Sequence, residues 1–235
     1  MSGRLITAGV SLGLAMGLGL TSAIIIAAND APYACEFPPP EVTSSVYRVT
    51  MNGRTGGSAV LTAGGWYSAA HVLTTRAKLE VMPENGQKWD ARPIHNTWVT
   101  PGTDAGKFES DLAHTGTLRW ATDVPTRGER VWAMGYPLGK ELTVTRGHVN
   151  GITAESRLLY HSAPAMSGMS GGAVVSCGRQ RGWKLVGIIS AIASIPQMTP
   201  FGPVGSTLVP FMSYASTGPQ HLENLRVHNW GYTPW

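Results

Sequence analysis

Ser170 lies in Ser162-Ala163-Pro164-Ala165-Met166-Ser167-Gly168-Met169-Ser170-Gly171-Gly172-Ala173-Val174-Val175, a run of small residues that leads into an apolar strand. A serine set this way can act as a nucleophile in acyl transfer. The chemistry requires a backbone turn tight enough to bring the N–H groups of Gly168 and Ser170 to one point, where a substrate carbonyl oxygen becomes negative. Gly168 gives the turn its freedom, and Gly171 and Gly172 leave room beside the hydroxyl. The hydroxyl also needs a base, and the base an orienting acid. His71 is the expected base, because Gly65-Trp66-Tyr67-Ser68-Ala69-Ala70-His71 forms a hairpin with Gly57-Ser58-Ala59-Val60-Leu61 and runs out at the imidazole. Asp111 is the expected acid, since it opens an alternating segment with Leu112 and Ala113, whereas Asp90 and Asp104 lie in turn-rich surroundings.

The chain order His71, Asp111, Ser170 occurs in one well-known constellation. With it, the sequence resembles the trypsin/chymotrypsin-like serine endopeptidases, and most closely the HtrA-type protease domain. Val131 to Gly139, Thr143 to Val149 and Leu185 to Ile192 extend the resemblance in the family's order, over Tyr47 to Tyr214. The resemblance implies two six-stranded antiparallel β-barrels with the active site between them. It also implies that Ser170 attacks a peptide carbonyl, His71 moves the proton, Asp111 orients the imidazole, and the Gly168 and Ser170 amides form the oxyanion hole. A Gly-x-Ser-x-Gly elbow of the α/β-hydrolase kind is rejected. That fold needs an acid and then a histidine after the serine, and here no aspartate follows Ser170 and the only glutamate is Glu223.

The elements that must carry these residues are short. Gly 29 and Pro 16 in 235 residues, with 43% hydrophobic and 14% charged residues, imply a folded, turn-rich all-β protein. Asn85-Gly86 between Leu79-Glu80-Val81 and Trp89-Asp90-Ala91 marks a hairpin. The expected barrels span about 45–121 and 128–214, crossed over through Asp123 to Arg127. A tail follows over 215–235, in which Trp230, Tyr232 and Trp235 are expected to clad the barrel. The net charge of +4 is scattered, which leaves no nucleic-acid footprint. No histidine has metal-ligand spacing, so no metal and no cofactor is expected.

Residues 1–30 hold an uninterrupted apolar run, Leu5 to Ala28, long enough to span a bilayer. It is expected to be a membrane anchor, or otherwise a cleaved signal. Arg4 before it directs the N-terminus to the cytoplasm and the protease domain outside, anchored or secreted. Gly9, Gly13 and Gly17 line one helix face, where a second anchor would pack closely in an oligomer. Residues 31–44, with Pro38-Pro39-Pro40, are expected to form a stiff extended tether. Its Cys35 either pairs with Cys177, as an exported chain permits, or does not.

Two departures from the resemblance matter. Regulated chymotrypsin-like enzymes have an aspartate directly before the nucleophile; here the residue is Met169, so the oxyanion turn is expected to be held by packing alone. No PDZ domain is expected after the core. The specificity walls implied by the resemblance are Ser162 to Ser167, Ile189 to Ile192 and Ser206 to Leu208, with Ala165, Ser167, Ser190, Ala191 and Ile192 as the substrate-binding positions. None of these is acidic, so protein or peptide substrates are expected to be cut after small or medium apolar residues. Ser194 to Pro203 reads as a loop on the pocket rim. The alternative from another class is a protease-like binding or chaperone-type protein with little catalysis.

Overall fold

The structure, a computed structural model, describes residues 35–73, 78–84, 86–98, 104–112, 116–152, 158–178, 182–199 and 202–217. The apolar run 5–28 and the aromatic tail from 218 onward lie outside the described residues. Six strands, β1 (Val46–Met51), β2 (Arg54–Thr62), β3 (Gly65–Ala69), β4 (Leu79–Met82), β5 (Trp89–Trp98) and β6 (Ala105–Ser110), close into one antiparallel ring in the order β1-β2-β3-β6-β5-β4. Six more close into a second: β7 (Arg130–Gly135), β8 (Thr143–Ile152), β9 (Leu158–His161), β10 (Ala173–Gly178), β11 (Gly182–Thr199) and β12 (Gly202–Thr217), in the order β10-β11-β12-β9-β8-β7. Leu79, Glu80 and Val81 pair with Ala91, Asp90 and Trp89, as the hairpin expected between them requires.

Alternation along a strand explains how the two rings pack. In β2, Ala59 and Leu61 point into the first barrel while Val60 points at the second. In β7, Val131 and Ala133 fill the second barrel while Trp132 and Met134 turn toward the first. Strands β3 and β10 divide likewise, Trp66 from Tyr67 and Val174 from Val175. The result is a core inside each barrel and a third between them, to which Leu118 and Trp120 of the crossing segment add their side chains. Tyr67 meets Trp120 edge-to-face at 5.4 Å in this middle layer.

Three expectations need correcting. The tether does not run extended throughout: Pro40–Thr43 form a helical turn, α1, whose Val42 is buried in the middle layer, and Cys35 is joined by a disulfide to Cys177 of β10. Proline at the first helical position suits a turn start, because its missing N–H would have had no partner there. Ser194 to Pro203 is not a loop over its length, since β11 and β12 continue as a ribbon pairing Ser194 with Leu208 and Thr199 with Gly202. The prolines that suggest a loop are tolerated where a strand lacks a second neighbour. The third wall moves accordingly: Ile189, Ala191 and Ile192 lie opposite Ala215, Tyr214 and Ser213, while Ser206 to Leu208 pair further out, with Ser194 to Pro196.

Candidate active site

Strand β3 ends at Ala69 and passes directly into a helical turn, α2 (Ala70–Leu73), that carries His71. Val72 and Leu73 of this turn are buried in the first barrel, so the apolar side chains fix the turn and leave the imidazole half exposed. Strand β6 runs antiparallel to β3 with Ala105 opposite Ala69. The residue just before β6 therefore faces the residues just after β3. That residue is Asp104. Its carboxylate accepts the His71 amide at 2.9 Å through Oδ1 and faces His71 Nδ1 at 2.6 Å through Oδ2.

Asp111 is therefore not the carboxylate beside His71. It follows the other end of β6, about 23 Å of extended chain from Asp104 at the usual strand rise, and there it takes both guanidinium nitrogens of Arg92. The missed signal was positional rather than compositional. A hairpin that delivers a histidine at the end of one strand needs its acid at the start of the antiparallel neighbour, and the turn-rich surroundings of Asp104 mark such a start.

A carboxylate on Nδ1 makes that nitrogen the donor and places the imidazole lone pair on Nε2. The hydrogen bond to Asp104 raises the His71 pKa above its ordinary value, against the smaller opposing effect of burial. For Asp104, burial pushes the pKa up. The hydrogen bonds from the His71 ring, the Ser190 hydroxyl and the His71 amide outweigh it, and the carboxyl is held below its ordinary value.

Ser190, the first residue of β11 past the buried core, joins the two halves. Its hydroxyl donates to Asp104 Oδ2 at 2.7 Å, and its carbonyl accepts the Ser170 hydroxyl at 3.4 Å. Ser190, expected on the substrate wall, instead turns its hydroxyl to the acid, a contact that no sequence signal marks. Ser170 follows Met169, whose side chain is fully buried in the second barrel. Gly168 adopts φ +91°, and a Cβ there would meet the Leu138 amide and the Tyr136 carbonyl at 2.6 and 2.8 Å, so only glycine fits. Among the described residues neither the Gly168 nor the Ser170 amide donates to a protein acceptor, whereas the neighbouring carbonyls of Met166, Ser167, Gly168, Met169 and Ser170 all accept hydrogen bonds. Of the expected wall residues, Ala165 is buried and Ser167 exposed; the side chains of Ala191 and Ile192 lie outside the described ones. Leu138 and Met166, both exposed, border the turn.

The arrangement is a hydroxyl, an imidazole and a carboxylate on two barrels, beside a turn whose Gly168 and Ser170 amides donate to no protein acceptor among the described residues. The sequence profile of the trypsin-like peptidase domain matches residues 49–188. No curated protein sequence matches the chain. Among solved structures, the HtrA-type protease AlgW with a tripeptide is 23% identical with TM-score 0.59, covering 79% of this chain and 60% of that one. A serine endoprotease from Yersinia pestis is 21% identical with TM-score 0.57, over 77% of this chain and 64% of that one. The Rv3671c protease from M. tuberculosis, in its active form, is 14% identical with TM-score 0.57, over 83% and 84%. The chain thus spans about three fifths of the first two neighbours.

Proposed function

The chain belongs to the trypsin-like peptidase domain family, and on that premise we propose that it is a serine endopeptidase in which Asp104, rather than Asp111, completes the triad with His71 and Ser170. The observation that carries this reading is the continuous run of hydrogen bonds from His71 through Asp104 and Ser190 to the Ser170 hydroxyl. In this reading His71 Nε2 takes the Ser170 proton as Oγ attacks a peptide carbonyl. The Asp104 carboxylate stabilises the imidazolium, and the Gly168 and Ser170 amides receive the oxyanion. The proton passes to the leaving amine, and water then resolves the acyl-enzyme by the same route.

The absence of an acidic side chain at Ala165, Ser167, Ser190, Ala191 and Ile192, with Met166 and Leu138 exposed beside the turn, supports peptide substrates cut after small or medium apolar residues. The Cys35–Cys177 disulfide supports an exported domain in an oxidising compartment. Residues 5–28 would act as its membrane anchor.

The test is fluorophosphonate labelling of the full chain in detergent, beside Ser170→Ala and His71→Ala, followed by peptide-library cleavage. Wild type is expected to label and both variants not. A folded wild type that stays unlabelled would favour a binding protein on a protease scaffold, and cleavage chiefly after Arg would overturn the proposed specificity.

A further inference from the structure

The Gly168 and Ser170 amides could serve one oxyanion only if the turn that carries them is held in one conformation. Much of that restraint comes from one residue of the other barrel. Ser58 on β2 is fully buried. Its amide donates to the Ser170 carbonyl at 2.8 Å, and its hydroxyl donates to the Gly168 carbonyl at 2.9 Å. The same hydroxyl oxygen accepts the Tyr136 amide at 2.9 Å, and the Ser58 carbonyl accepts the Ser68 hydroxyl at 2.7 Å. Tyr136 reaches back in turn, its own hydroxyl donating to the Val46 carbonyl at 3.3 Å. Burial pushes the Tyr136 phenol up to about 12, so it remains a donor.

Geometry gives the Ser58 hydroxyl a specific task. The Gly168 carbonyl belongs to the peptide between the two that carry the Gly168 and Ser170 N–H groups, and the torsions at its ends, ψ of Gly168 and φ of Met169, set how those groups lie relative to one another. We propose that Ser58 is a positioning residue. Its hydroxyl pins the Gly168–Met169 peptide across the barrel interface, so that the oxyanion turn stays formed without an ion pair at the position of Met169. Packing of Met169 fixes the depth of the turn, and Ser58 fixes its orientation. The inference rests on the reading of Ser170 as nucleophile. It replaces the sequence-based expectation that packing alone holds the turn.

Ser58→Ala removes the hydroxyl and leaves the Gly168 carbonyl and the Tyr136 amide without it. Loss of one oxyanion donor typically costs about 10²–10³ in kcat, so partial misplacement is expected to lower kcat about 10- to 100-fold with KM changed less than about threefold. Thr62→Val is the matched control. Thr62 is a buried hydroxyl on the same strand whose bonds among the described residues stay within its own turn, to the Gly65 carbonyl and the Gly64 amide. It should lose comparable stability and keep kcat.

Amide hydrogen exchange over residues 162–175 in the full chain gives a second, activity-independent readout, and Ser58→Ala is expected to speed it. Ser58→Cys, nearly isosteric but a weak donor, should fall between wild type and Ser58→Ala, and serves both readouts if the alanine variant does not fold. An unchanged kcat with unchanged exchange, or a loss matching that of Thr62→Val, overturns the proposal. Faster exchange in the variant of a wild type that neither labels nor cleaves would uphold the positioning role while removing the protease reading.

Discussion

Among the described residues, the two carboxylate oxygens of Asp104 meet the His71 amide, the His71 ring and the Ser190 hydroxyl. The backbone bond fixes where the acid sits, the ring bond fixes the tautomer, and the hydroxyl keeps a partly buried charge satisfied. Asp104→Asn would keep the shape while offering the ring an amide in place of a charge. The expected outcome is a fall of about 10⁴-fold in kcat, the scale seen when a triad acid is neutralised, against less than about twofold for Asp111→Asn. The acidic limb of the kcat/KM profile checks the same point. Because Asp104 raises the His71 pKa, wild type gains activity as pH rises through a value above 6.5, and the limb of Asp104→Asn should move down. Ser170, His71 and Gly168 stand out as candidates in the sequence because each carries a local signature, a glycine-rich turn or a strand end. The contact of Asp104 with His71 does not, because what sets it is its pairing across from β3, a relation between strands that no single stretch displays.

Within the elements, β9 holds a polar group with an unusual lack of company. His161 is wholly buried between β8 and β12, opposite Val149 and Ser213, and neither ring nitrogen has a hydrogen-bond partner among the described residues. Burial drives its pKa down to about 4, only partly offset by the nearby Ala163 backbone. Between pH 4 and 6.5 the unfolded chain binds a proton that the native state refuses, so stability rises with pH across that window. The span corresponds to about 3 kcal/mol lost on acidification. Urea melts at pH 4.5 and 7.5 should differ by much less in His161→Leu than in wild type; equal differences would refute the assignment. The β2–β3 and β4–β5 hairpins followed from alternation and turn residues, whereas β6 (Ala105–Ser110) did not, since the alternating segment expected from Asp111 starts where that strand has already ended. The β11–β12 ribbon and the α1 turn did not, because prolines signal breaks in isolation, and only the absence of a second neighbour, or the burial of Val42, shows why a regular element persists through them.

At the scale of the molecule, two barrels share a middle apolar layer that is fastened at its rim by the disulfide between Cys35 and Cys177, 142 residues apart. A cross-link closing so long a loop restrains the unfolded chain, an effect of about 2–5 kcal/mol. Replacing both cysteines by serine is expected to lower the urea midpoint correspondingly while leaving fluorophosphonate labelling of the folded fraction intact. The overall plan was legible because the order of histidine, acid and serine and the β-rich composition agree on one architecture. The docking of the segment before β1 was hidden, since it depends on a surface that exists only once both barrels have formed. That dependence governs the catalytic groups too. In the proposed reading, the first barrel holds the base and its acid but not the nucleophile, and the contacts of Ser58 and Ser190 that orient Ser170 exist only once both barrels have formed. On that reading a nascent chain emerging from the ribosome carries no working blade, and cutting becomes possible only after the chain has itself ceased to be an unfolded substrate.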